Sequence, residues 1–142
     1  MTIRNATPAD APGLADLITQ LGYPTTPDQM AARFNVVSSH ADYQMLLAED
    51  HLGPVGLVGL HCGLSWEFDG CYVRVGALVV SSRARHQGVG EALIAAAEQW
   101  GREMGASRLI LNCGNRPERA IAHQFYPAMG FSITTTGYSK KL

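Results

Sequence analysis

Apolar positions along this 142-residue chain change period several times, and each change marks an element. A short strand is predicted around Ile3 to Ala6, after which Ala11, Leu14, Ala15, Leu17, Ile18 and Leu21 recur at helical spacing. Thr7-Pro8-Ala9-Asp10 supplies an N-cap hydroxyl, a proline at the first helical position and a carboxylate three residues after the cap. A helix should therefore start there, and Gly22 can take the left-handed conformation that ends it. The same grammar repeats at Thr26-Pro27-Asp28-Gln29, followed by Met30, Phe34 and Val37 on one face of a shorter helix.

The period then shortens. Tyr43 to Ala48, Val55 to Trp66 and Cys71 to Val80 read as strands, separated by Glu49-Asp50-His51-Leu52-Gly53-Pro54 and by Glu67-Phe68-Asp69-Gly70, both rich in turn formers. An antiparallel meander is the economical arrangement. From Val89 the helical period returns, with Leu93, Ala96, Ala97, Trp100 and Met104 along one stripe and Gly105 at its close. A strand at Arg108 to Cys113, a helix from Pro117 to Met129 and an alternating final strand at Phe131 to Ser139 complete the order. This predicts one domain over residues 1–142, α+β in class, with a mixed, largely antiparallel sheet flanked by helices.

Composition narrows the partners rather than the fold. Eleven basic and twelve acidic side chains leave a formal net charge of −1, which argues against broad nucleic-acid affinity and for a small-molecule partner. No apolar run approaches the roughly 18 residues needed to span a bilayer, and no leader-like segment opens the chain. Cys62, Cys71 and Cys113 are odd in number and lack CxxC spacing, which fits reduced thiols in a soluble, cytoplasmic protein.

The candidate chemistry sits where a strand meets a helix. Val75 to Val80 runs into Ser81-Ser82-Arg83-Ala84-Arg85, and His86, Gln87, Gly88, Val89, Gly90 and Glu91 open the long helix. A helix start leaves backbone N–H groups without internal partners and attracts anions. Gly88 and Gly90 let a phosphate approach that backbone, and Arg83 and Arg85 add guanidinium donors. Two glycines at such a junction can also form a plain tight turn, and the arginines can be solvated loop residues. Rival phosphate motifs fit worse: Leu93 occupies the place of a dinucleotide fingerprint's third small residue, and no Gly-Lys-Ser/Thr follows.

Leu78-Val79-Val80 followed by Arg85-x-x-Gly88-x-Gly90 and Leu93 resembles the acetyl-CoA signature of the GNAT superfamily of N-acetyltransferases. A second stretch, Ala122-His123-Gln124-Phe125-Tyr126 through Gly130-Phe131, resembles that superfamily's closing helix. With Arg119 ahead of it, the stretch is similar to members that acetylate small amines, among them aminoglycoside and aminoalkylphosphonate acetyltransferases. The resemblance implies a splayed central strand whose backbone at Leu78, Val79 and Val80 faces pantetheine and thioester. It also implies acetyl-CoA as cosubstrate held over Arg85 to Glu91, a small-molecule amine acceptor and a homodimer as an expected state. Tyr126 would be the acid that protonates the departing thiolate, a phenol of pKa about 10 serving a thiolate near 8.5; the alternative is a tyrosine that merely caps the core.

Three departures qualify the resemblance. Pro127 removes a helical donor beside Tyr126 and restrains it. Arg119 stands where many relatives carry an asparagine that bonds the cofactor. Strand Cys71 to Val80 has no carboxylate where many relatives place a general base, leaving Glu67, Asp69, His61 or a water. No Gly-x-Ser-x-Gly elbow and no His-Glu-x-x-His zinc motif occurs, so direct transfer without metal is expected. A non-catalytic acyl-CoA-binding module, or acetylation of a protein N-terminus or lysine, are the alternative functions. Acceptor choice is expected from the first two helices, their connector Gly22-Tyr23-Pro24-Thr25-Thr26 and the turn near Trp66 to Asp69.

Overall fold

The computed structural model describes residues 1–115 and 117–142. They form two compact units, Met1–Ile110 and Leu111–Leu142, taken in turn below.

The first unit is built on strands β1 (Thr2–Asn5), β2 (Tyr43–Asp50), β3 (Gly53–Leu64), β4 (Cys71–Val80) and β5 (Ala106–Leu111), arranged in that order across one sheet. β1 through β4 pair antiparallel, the meander that the turn-rich connectors demand. Helices α1 (Ala11–Leu21) and α2 (Pro27–Ser38) precede β2, and α3 (Val89–Glu103) joins β4 to β5. Alternate residues of a strand face opposite sides. Leu47, Leu57 and Val79 pack with Leu14, Leu17, Ile18, Met30 and Phe34, so α1 and α2 cover one face.

The other face receives α3. A Cβ placed on Gly56 would come within 3.0 Å of Leu93 Cδ1, Val89 Cγ1 and the Val79 carbonyl oxygen, so only a glycine lets this helix sit so close to β3. Leu93, Ile94 and Ala97 are fully buried there; of the predicted stripe Leu93 and Ala97 are buried, Ala96 and Trp100 are half-buried, and Met104 is exposed where α3 ends. Val37 is a correction: it is exposed, because α2 rests on the sheet through Met30 and Phe34 alone.

Two bulges interrupt the ladder. Between Gly59 and Leu60 of β3 the partners skip from Ala77 to Val75, which leaves Gly76 as an extra residue in β4. A second irregularity follows Ala48, where β3 carries the extra Val55.

The start of α1 differs in detail from its capping signature. Pro8–Asp10 forms a 3-10 turn, and the α-helix begins at Ala11. The Asp10 carboxylate accepts the Thr7 backbone N–H at 2.7 Å and its hydroxyl at 3.2 Å. Arg4 then grips that carboxylate with both Nη atoms at 2.8 Å while Nε and Nη2 hold Glu49 at 3.0 and 2.9 Å. One guanidinium thus ties β1, the entry to α1 and the end of β2.

In the second unit α4 spans Ala120–Ala128 after a 3-10 turn at Pro117–Arg119. The expected strand at Phe131 to Ser139 is not formed: no residue there is extended in a ladder, and Ile133 and Tyr138 are exposed. Alternation marks two faces of a segment, and a strand forms only where its backbone groups pair in a ladder. Among the described residues no helix is long and apolar enough to cross a membrane.

Two outcomes test this packing. The Arg4 guanidinium pulls the Asp10 carboxyl down to about 2, and Arg83 does the same to Asp50. Both ion pairs therefore contribute stability above the ordinary carboxylate range near pH 4 and lose it as pH falls toward 2. Asp10→Ala should lower stability by about 1–2 kcal/mol at neutral pH and flatten that acid decline in urea titrations, leaving the Asp50 component. Gly56→Val should lower stability by about 1–3 kcal/mol through overpacking, checked by the same unfolding midpoint.

Candidate functional site

The connection from β4 to α3 is fixed on both sides. The buried Ser81 donates its N–H to Val55 at 2.8 Å, Ser82 donates to the Gln20 side chain of α1 at 3.0 Å, and Ala84 is buried. Arg83 is not the phosphate donor that its position suggests. Its guanidinium holds Asp50 at 2.6 and 3.0 Å and the Gly53 and Pro54 carbonyls at 3.2 and 3.3 Å, closing the β2–β3 turn. Arg85, by contrast, is exposed and makes no hydrogen bond or ion pair among the described residues.

Beyond Arg85 the backbone takes two left-handed residues, His86 at φ 60° and Gly88 at φ 77°. Such a conformation is strained for histidine and natural for glycine. Gly88 is the N-cap of α3, and no side chain caps it. The first helical bond is Ala92 N–H to Gly88 at 3.0 Å, so the N–H groups of Val89, Gly90 and Glu91 precede the ladder.

Side chains close the start of α2 and the 3-10 turn that leads into α1. Thr26 and Gln29 cap α2 reciprocally at 3.2 and 3.0 Å, and Asp10 seals the turn before α1. An uncapped start with exposed Arg85, His86, Gln87 and Gly88 in front is a donor-rich helix entry. The Glu91 side chain is exposed, and its contribution to that entry is the backbone N–H. Leu78, Val79 and Val80 lead into it, paired with Val58, Leu57 and Gly56 of β3.

Tyr126 belongs to the second unit. Pro127 sits in the last turn of α4, and the helix runs through it to Ala128, so the missing donor affects one bond only. The Phe131 N–H reaches the Tyr126 carbonyl at 3.1 Å and the Gly130 N–H reaches Pro127 at 3.1 Å, with Gly130 at φ 89°. This pair of bonds is a Schellman C-cap. Its hydrophobic contact is the edge-on packing of Tyr126 against Phe131, with ring centroids 5.7 Å apart, and Phe125 packs on the other side at 5.4 Å. The Tyr-x-x-x-Gly-Phe spacing is therefore a clamp on the tyrosine ring. Burial, and next the nearby Cys113, push the phenol above its ordinary pKa, while Arg119 opposes them.

The structure separates the general-base candidates. Glu67 bonds Ser65 and lies with Asp69 on the exposed β3–β4 turn, at the opposite end of β4 from Val80. His61 lies within the sheet, stacked on Tyr43 with centroids 4.4 Å apart. All three cysteines are free thiols, and burial pushes Cys62 up to about 11.

Comparison with known proteins agrees with this architecture. The model of the acetyltransferase (GNAT) family matches residues 14–131. No curated protein sequence matches the chain. A GNAT family acetyltransferase of Staphylococcus aureus superposes with a TM-score of 0.85 at 28% identity, over 99% of this chain and 98% of that one. Glucosamine-6-phosphate N-acetyltransferase of Arabidopsis thaliana gives 0.82 at 22% identity over 99% and 97%. An aminoglycoside N-acetyltransferase in complex with CoA gives 0.84 at 20% identity over 99% and 93%. The last two are likenesses of fold. With the sheet order, the helix placement and a family match over most of its length, the chain belongs to the GNAT family of acetyltransferases.

Proposed function

We propose that this protein is an acetyl-CoA-dependent N-acetyltransferase that moves the acetyl group directly to a primary amine of a small molecule in the cytoplasm. The observation that carries the reading is the open start of α3: an uncapped helix behind left-handed His86 and Gly88, with Arg85 left without a partner. That chemistry suits a pyrophosphate, held by the backbone from Gly88 to Glu91, by Arg85, and by His86 and Gln87 at the rim. The aminoglycoside enzyme of similar fold was crystallised with CoA, and the Arabidopsis relative is named for an amino sugar acceptor.

In the proposed reaction the amine nitrogen attacks the thioester carbonyl carbon, the C–S bond breaks, and the N–C bond forms. Negative charge gathers on the carbonyl oxygen, which a backbone N–H within Leu78, Val79 and Val80 would stabilise more in the transition state than in the ground state. The Tyr126 phenol gives its proton to the leaving thiolate, and the amine's surplus proton passes to water, because His61 pairs with Arg74, four residues along β4 from Leu78. A phenol held above its ordinary pKa stays protonated throughout the neutral range, as an acid requires.

In this reading acetyl-CoA at about 100 times its Kd stabilises the protein by ~2.7 kcal/mol, and Gly90→Glu abolishes the thermal shift by placing bulk and negative charge at the phosphate. An undiminished shift in that variant would sink the loop assignment. Tyr126→Phe should lower kcat by about 10²-fold with acetyl-CoA affinity unchanged. Because the phenol's pKa is raised, wild-type kcat should show no alkaline limb from this group below about pH 10; a Tyr126-dependent limb at neutral pH would remove it as the acid.

A further inference from the structure

A row of side chains crosses three strands on the sheet face that α1 and α2 partly cover. Tyr43 of β2 pairs with His61 of β3, and His61 pairs with Arg74 of β4. Leu47, Leu57 and Val79 pack under the helices, and strict two-residue alternation along β2 and β3 puts Tyr43 and His61 on their side of the sheet. Arg74, directly opposite His61, shares that side. The Tyr43 and His61 rings stack at 4.4 Å, and His40 meets Tyr43 edge-on at 6.0 Å. Tyr72 lies across Gly63, whose Cβ would come within 2.7 Å of the tyrosine ring. Between this row and the helix-covered core the floor is low: a Cβ on Gly59 would have Ala77 at 3.7 Å and Met45 at 3.8 Å as its nearest side chains, ordinary contact distances.

Arg74 is unlike the chain's other half-buried arginines. Arg4 is saturated by Asp10 and Glu49, and Arg119 has a partner of its own. Arg74 is half-buried at the middle of a strand, yet it makes no hydrogen bond, ion pair or ring contact among the described residues. The titratable groups in the row with it are Tyr43 and His61, with Tyr72 and His40 beside them; no carboxylate is paired to it. A guanidinium without a counter-charge, on a side chain half out of water, gains from meeting an anion, and its planar fork fits a carboxylate or phosphate.

We propose that Arg74 is the specificity-determining residue for the acceptor, and that the acceptor is a primary amine carrying a carboxylate or phosphate, flanked by the Tyr43–His61 stack and Tyr72. The inference rests on the acetyltransferase reading above. Four residues along β4 separate Arg74 from Leu78, on the order of 10 Å once the arginine's own reach and the Gly76 bulge shorten the path. Amine and anion are thus a short peptide or a phosphorylated amino sugar apart. A polycationic acceptor of the aminoglycoside kind is disfavoured, because it would leave this guanidinium facing like charge.

Matched pairs test the proposal: glucosamine 6-phosphate against glucosamine for the phosphate arm, triglycine against triglycinamide for the carboxylate arm. CoA release gives kcat/KM, and calorimetry gives binding without turnover. In one arm the anionic member should be preferred by about tenfold or more, the worth of one charge-assisted contact. Arg74→Gln should erase that preference, Arg74→Lys should keep part of it, and the acetyl-CoA thermal shift should be unchanged in both. Equal anionic-acceptor kinetics in wild type and Arg74→Gln, preference for the neutral member, or no binding of either anionic compound to the wild type would overturn it. Arg74-dependent binding of an anionic amine without any acetyl-CoA shift or turnover would instead refute the acetyltransferase reading and leave the anion site standing.

Discussion

The close approach of α3 to the sheet at Gly56 is the constraint on which the site depends. Val89 and Leu93 rest on that glycine, so the first turn of α3 lies directly against β3, beside the end of β4. The chain has only Ser81 to Gly88 in which to leave the strand and enter the helix. That short path is pinned by Val55, Gln20 and Asp50, and the remaining freedom is taken up by left-handed His86 and Gly88. A helix entered in this way has no residue placed to cap it. Its free N–H groups follow from the packing behind them.

The arginines show how the same side chain is sorted by its surroundings. Arg4 and Arg83 are fastened to carboxylates and staple the strand ends around the core. The exposed Arg83–Asp50 pair contributes little by itself; its value is in fixing which segments meet at the turn under the candidate loop, while the part-buried Arg4 pairs tie β1 to the entry of α1 and the end of β2. Arg85 and Arg74 have no such partners and stand at the loop and on the open part of the sheet face. Charge is spent on architecture at two positions and left available at two others.

In the second unit, Gly130 plays for Tyr126 the part that Gly56 plays for α3. A left-handed residue just past α4 lets the chain fold back so that Phe131 packs on the tyrosine ring. Burial, the main cause of the phenol's raised pKa, accompanies this way of ending the helix. Pro127 removes a single donor from α4, in its last turn.

Much of this was legible in the sequence, where local rules apply. Capping residues at Thr7 and Thr26, the glycine at Gly22, the period of α3 and the turn-rich connectors determined the helices and the antiparallel meander. The Arg85 to Gly90 and Tyr126 to Phe131 spacings determined the family resemblance, since both are backbone motifs written in consecutive residues. Tertiary structure decided whatever needed a partner from elsewhere in the chain. Asp50 beside Arg83 takes that arginine out of the loop's chemistry, and Phe131 to Ser139 alternates like a strand yet pairs in no ladder. The Gly76 bulge and the Tyr43–His61–Arg74 row depend on strand register, which no single strand specifies. Periodicity is a property of one segment; register, counter-charge and close approach belong to two.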